Sequence, residues 1–301
     1  MKRIKDNDNA TIVACYIGYI TQAIVNNFVP LLFVTFQKQF GIALDKIGLL
    51  ISVNFGVQLL VDLLAAGLVE KVGERKTMIT AHLCSGTGLL LLAFLPWLFP
   101  VPYIGLLIGI VCYAIGGGLI EVMLSPIVEA CPTKNKEAVM SSLHSFYCWG
   151  HVGVVLISTI FFSTFGIENW KIIARIWAVI PVLNGIVFLT SPIYSLHEEG
   201  EKGLSIKELC SMKIFWVVML MMTCAVCGFS VGIMWPGTFS IASASIRGGG
   251  TAMFALLALA GDLGCSGGPT LAGFVSSSVG NNLRMGILAA IVFPVLLLMG
   301  I

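Results

Sequence analysis

The chain is poor in charge. Only 11% of its 301 residues are Asp, Glu, Lys or Arg, whereas 57% are hydrophobic. Soluble domains carry roughly a quarter charged residues, so this composition excludes a water-soluble enzyme. Net charge is only +2, and no basic stretch is interleaved with aromatics, which removes the footprint of a nucleic-acid partner. Paired cysteine spacing is also missing. The nine cysteines lie almost entirely within apolar runs, against a secreted disulfide framework, and the close pair Cys224 and Cys227 reads as small packing residues. There is no HExxH, no GxSxG and no carboxylate pair in a polar cleft, so neither an enzyme nor a cofactor is expected. The basic start (Lys2, Arg3, Lys5) precedes an apolar stretch too long for a signal-peptide core and reads as leading into an uncleaved first span.

What the chain has instead is long apolar runs. They cover 11–36, 44–69, 77–97, 101–128, 139–165 and 172–194, six in under 200 residues. The polar stretch 197–213 follows, and then runs at 214–246, 251–278 and 283–301. At ~20 residues per crossing the expected fold class is an all-α, polytopic helical membrane protein. A six-helix bundle would occupy 1–196, an amphipathic linker 197–213, and a smaller bundle 214–301. With the N-terminus inside, alternate loops place eleven Lys and Arg on the inner side and three (Lys38, Lys46, Lys171) on the outer side through Lys213. The positive-inside rule then puts the N-terminus and the linker in the cytoplasm.

The chain repeats itself. GGGLIEVMLSP, with Gly118 and Pro126, matches VCGFSVGIMWP, with Gly228 and Pro236, and Gly150 and Gly153 answer to Gly261 and Gly264. The offsets are 110 and 111, and duplicated helical halves are a transporter architecture. A complete duplication would need an offset of about 200, since the halves start near Thr11 and Lys213, so the second half is expected to lack two spans near Ala225 and Val226. The run 214–246 is too short for two crossings plus a turn, which need ~40 residues. About nine spans result.

The loop after the second run reads Ala66, Gly67, Leu68, Val69, Glu70, Lys71, Val72, Gly73, Glu74, Arg75, Lys76. An acid at a helix end, a glycine turn and a cation cluster can hold helix ends together through charge pairs and helix dipoles. The segment resembles the signature between spans two and three of the major facilitator superfamily, with Glu70 at its Asp position and Ala66 in place of its first glycine. GGGLIEVMLSP followed by SSLHSFYCWGHVG resembles the fucose-permease-like bacterial sugar transporters of that superfamily. The resemblance implies alternating access, a small-molecule sugar-like substrate and the bacterial inner membrane. It further implies proton symport, with Glu121 on the position of an intramembrane Glu of the proton and substrate site. The family also carries an acid on the first helix, seven residues before a proline; here that position is Ala23, beside Gln22.

Other polar groups fall inside the runs, where a charged residue costs ~2.5–3.5 kcal/mol at the bilayer centre and generally faces a cavity or a partner. Gln22, Asn26 and Asn27 on the first span, with Asn54 and Gln58 four apart on the second, offer neutral donors and acceptors suited to sugar hydroxyls; interhelical hydrogen bonding is the competing account. His144 and His151, seven apart, are expected on one face of the fifth span, and the repeat sets Asp262 opposite His151. Trp149 and Trp235, next to Gly150 and Pro236, are candidates for stacking on a sugar ring or for packing. Asp62 and Arg175 are expected near span ends, with their charges snorkelling to the interface. The glycines between Gly105 and Gly118 read as packing seams. A binding or relic membrane protein without transport remains the alternative.

The nine-span reading predicts that a reporter fused after Ile301 faces the side opposite the N-terminus. A cytoplasmic C-terminus would require an even number of crossings and overturn it.

Overall fold

The computed structural model describes residues 8–133, 136–194 and 206–227, with single positions at 204, 246 and 288. The helices are α1 (Asp8–Asn27), α2 (Phe33–Phe40), α3 (Leu44–Val72), α4 (Glu74–Leu98), α5 (Pro102–Ala130), α6 (Lys136–Phe165), α7 (Trp170–Thr190), α8 (Ile206–Ser211) and α9 (Lys213–Cys227). Among the described residues, six segments are long and apolar enough to cross a membrane, the first comprising α1, a 3-10 turn at Val29–Leu32 and α2. That turn contains Pro30, which has no N–H to donate and cannot continue the ladder of α1.

The connections are short because glycine makes them so. Gly73 has φ +88°, donates its N–H to the Val69 carbonyl at 2.8 Å, and accepts from the Thr77 N–H at 3.1 Å. One residue with positive φ thereby joins α3 to α4, a conformation that L side chains rarely adopt. Gly41 and Gly166, with φ +65° and +84°, close α2 and α6 in the same way.

The tightest seam lies between α4 and α5. A Cβ on Gly88 would fall 2.3 Å from the Tyr113 nitrogen, and one on Gly116 would fall 2.4 Å from the Ala81 carbonyl. Gly109 and Gly105 meet the Leu92 and Leu95 backbones just as closely. Lipid is as apolar as leucine, so helices in a bilayer associate by such close packing and by hydrogen bonds. α7 packs on the other side of α4, α1 lies against α5, α6 and α7, and α3 lies against α5. α3 and α6 are the least covered spans.

Two apolar clusters fill the bundle. One holds Tyr19, Met78, Ile127 and Phe188, the other Phe28, Leu50, Leu106 and Trp170. On α1, α3, α4, α5 and α7 the residues of the two clusters are separated along the helix, and the buried polar side chains Gln22, Asn54, Gln58, Asp62, His82 and Asn184 fall in the intervals. At one end Lys171 and Arg175 lie over the rings of Trp97 and Phe94, at 3.9 and 5.1 Å. At the other, Arg75 donates to the Phe188 and Leu189 carbonyls at 2.8 and 3.0 Å, and the Tyr194 hydroxyl donates to Asp8 at 2.6 Å.

The repeat partners Gly228, Pro236, Gly261 and Gly264 lie outside the described residues, as do the runs beyond α9.

Because the Gly88 and Gly116 contacts are with backbone, which cannot step aside, Gly88→Ala and Gly116→Ala are each expected to destabilise by ~1–3 kcal/mol. That exceeds the ~1 kcal/mol that Ala gains over Gly in a helix. Gly56, whose Cβ would meet nothing within 4 Å, is the control, and Gly56→Ala is expected to hold or raise the thermal midpoint in detergent. A Gly88→Ala midpoint at or above the parent's would disprove the seam.

Candidate functional site

Buried and half-buried polar residues of α1, α3 and α5 form one hydrogen-bonded network. Gln22 and Asn26 stand one turn apart on α1, and Asn54 and Gln58 one turn apart on α3. Gln22 Nε2 donates to Gln58 Oε1 at 2.9 Å and to Glu121 Oε2 at 2.8 Å. Gln58 Nε2 donates to Asn26 Oδ1 at 2.7 Å, and Asn54 Nδ2 donates to the same oxygen at 3.1 Å. Gly117 gives the network room, since a Cβ there would come within 2.9 Å of Gln22 Oε1. Two buried acceptors of the network, Gln22 Oε1 and Asn54 Oδ1, have no hydrogen-bond partner among the described residues. A buried acceptor of this kind costs ~1–3 kcal/mol.

Asp62 corrects the reading of the sequence. It is fully buried, not snorkelling at a span end. α3 covers a single stripe at helical spacing, Ile47, Leu50, Asn54, Gln58, Asp62, Ala65 and Val69, so the carboxyl stands in line with the two amides.

The remaining candidates divide. Asn27 turns back along its own helix, donating to the Ala23 carbonyl at 2.9 Å. His144 is buried with its ring 5.1 Å from that of Tyr19, whose hydroxyl lies 3.5 Å from Ser125 Oγ. His151 is exposed, despite the seven-residue spacing, and Trp149 is 72% exposed. Seven residues fall ~20° short of two turns, and α6 buries its face against α1 through Leu143, His144 and Gly150. In the loop, Gly67, Lys71 and Lys76 are exposed, Gly73 forms the turn, and Arg75 caps the carboxyl end of α7. Asp262, Trp235 and the Glu70 side chain lie outside the described residues.

A second network was not anticipated from sequence. Asn184 Nδ2 on α7 donates to the Ala14 carbonyl at 2.9 Å and lies 2.8 Å from His82 Nε2 on α4, while His82 Nδ1 lies 2.9 Å from the Met78 carbonyl. A carbonyl only accepts, so Nδ1 carries the proton and Nε2 accepts from Asn184. A histidine and an asparagine inside two apolar runs were the available signal, but nothing in their spacing pairs them. No group of three or more His, Cys, Asp or Glu placed to hold a metal occurs among the described residues.

The comparisons agree with this architecture. No curated protein sequence matches the chain. Among solved structures, the E. coli fucose:proton symporter FucP is similar over 96% of this chain and 97% of its own, at 14% identity and a TM-score of 0.66. The proton:xylose symporter XylE is similar over 96% of both chains, at 10% identity and a TM-score of 0.71. A human organic anion transporter is similar over 99% of this chain and 100% of its own, at 12% identity and a TM-score of 0.63. At these identities the likeness shows the fold. The sequence model of the Major Facilitator Superfamily matches residues 15–301, nearly the whole chain. This multi-pass membrane protein therefore belongs to the Major Facilitator Superfamily of transporters.

Proposed function

We propose that the chain is a secondary transporter of a small, neutral, hydroxyl-rich solute such as a sugar, driven by proton symport in a bacterial inner membrane, with its N-terminus cytoplasmic. The observation that carries this reading is the Gln22, Asn26, Asn54, Gln58 and Glu121 network. Each amide offers both donors and acceptors, as each sugar hydroxyl does. The unpaired oxygens of Gln22 and Asn54 match hydroxyl donors.

Charge narrows the class. Glu121 brings an acid to the network. An anionic solute would be repelled by its carboxylate, whereas a neutral one incurs no such penalty. The organic anion transporter of the same fold shows that architecture alone does not choose; the side chains in the network do. FucP, a fucose:proton symporter, and XylE, a proton:xylose symporter, favour the same class. Alternating access follows from bundles that expose this site to one side at a time.

The test is uptake of labelled fucose and xylose by the full chain in proteoliposomes under an inward proton gradient. Glu121→Gln is expected to lower uptake by about tenfold or more, since charge-assisted hydrogen bonds are worth ~1.5–3 kcal/mol. Folded protein that moves no neutral polar solute would instead favour the non-transporting alternative.

A further inference from the structure

We propose that Asp62 is a second acid of the transport pathway, the group that takes up and releases the coupled proton while Glu121 orients the solute. The inference rests on the transport reading above and adds to it a residue on a different helix from that which the family pattern uses for its second acid. Three observations carry it.

Asp62 is fully buried, within a segment long and apolar enough to cross the membrane. Acids within spanning segments are rare, and they mark ion or proton paths or partnered sites when they occur. Its position on α3 follows Asn54 and Gln58 at steps of four, so one covered stripe carries all three polar groups. By a rise of 1.5 Å per residue, Asp62 stands ~6 Å beyond Gln58 toward the Arg75 end.

The third observation fixes its depth relative to Glu121. α3 and α5 run in the same direction, with α4 between them in the chain. A Cβ on Gly118 would meet Val61 at 3.0 Å and the Gln58 Cα at 3.2 Å, so position 118 is level with 58–61. Glu121 lies three residues past Gly118 and Asp62 four past Gln58, which places the two carboxyls within about one helical turn in depth. The titratable groups that neighbouring helices bring to this level are Glu121 from α5 and Tyr19 from α1, whose hydroxyl lies 3.5 Å from Ser125 Oγ, about one turn past Glu121.

This arrangement accounts for the missing first-helix acid. At Ala23 and Gln22 that helix offers no carboxyl, and Gln22 Nε2 instead donates to Glu121. A Glu121 held by an amide donor is an acceptor for solute hydroxyls. The proton that enters with the solute then resides on Asp62 and leaves from it toward the cytoplasmic side.

The experiment uses the full chain in liposomes, as parent, Asp62→Asn, Asp62→Glu and Glu121→Gln. Infrared difference spectra across a pH titration, without solute, read carboxyl protonation directly. The protonated-carboxyl band is expected to disappear in Asp62→Asn, shift in Asp62→Glu and persist in Glu121→Gln. A band unchanged in Asp62→Asn, or no titrating band in the parent, would overturn the assignment whether or not the chain transports. With fucose or xylose as probe, Asp62→Asn is expected to retain solute exchange while its gradient-driven accumulation falls by about tenfold or more and loses its pH dependence. Equal loss of exchange and accumulation, with the pH profile unchanged, would mean that Asp62 only supports the fold. A folded parent that neither exchanges nor accumulates either probe, yet shows the Asp62 band, would count against the transport reading and against the coupling role alike, leaving Asp62 as a titrating group alone.

Discussion

A single amide holds the polar centre of this bundle together. Gln22 Nε2 donates at once to Gln58 on α3 and to Glu121 on α5, so three spans meet through one side chain of α1. In water such bonds would be exchanged with solvent for little net gain, but at mid-depth the alternative is an unsatisfied polar group in a medium without water. The surrounding sequence accommodates this tie. Gly117 and Gly118 leave α5 no side chains where Gln22, Gln58 and Val61 approach, and the apolar clusters flank the polar interval on both sides.

Packing strength is distributed unevenly around that centre. α4 and α5 touch backbone to backbone along Gly88, Gly105, Gly109 and Gly116, and α7 is joined to α4 and α1 through Asn184, His82 and the Ala14 carbonyl. Arg75 closes the same unit at its charged end by satisfying the last carbonyls of α7. These carbonyls would otherwise be orphans at a helix terminus, and the guanidinium also complements the helix dipole there.

Much of this was legible in the sequence because it depends on period and composition. Apolar runs gave six helices close to the observed bounds, and the glycines of α5 behaved as a seam because small residues at near-helical spacing have few other uses in an apolar span. Gln22, Asn26, Asn54, Gln58 and Glu121 stood out as polar groups in apolar surroundings, and the structure brings all five together. What was not legible depends on depth and rotation. Asp62 was misplaced because its burial follows from the rotation of α3, which sets it on the covered stripe with Asn54 and Gln58, and the bounds of an apolar run do not fix rotation. His151 was expected beside His144, although the fifth span packs through a glycine at 150 that leaves the next residue outside. The His82–Asn184 pair joins residues 102 positions apart, and no local pattern encodes such a meeting.

The least covered spans contribute unequally to the centre. α6 brings His144 against Tyr19, but its Trp149 and His151 are exposed. α3, by contrast, places every polar side chain of its covered stripe at the network or one turn beyond it, and its attachment to α1 runs through hydrogen bonds rather than a glycine seam. Asn26 Oδ1 accepts from both Asn54 and Gln58, so one acceptor spans a full turn of α3. A helix held to its neighbour by shared amide bonds exchanges partners at lower cost than one interlocked backbone to backbone, because an amide that loses one partner finds another a turn away. The polar line of Asn54, Gln58 and Asp62 on α3 is therefore held by exchangeable hydrogen bonds, while the α4–α5 seam is fixed backbone to backbone.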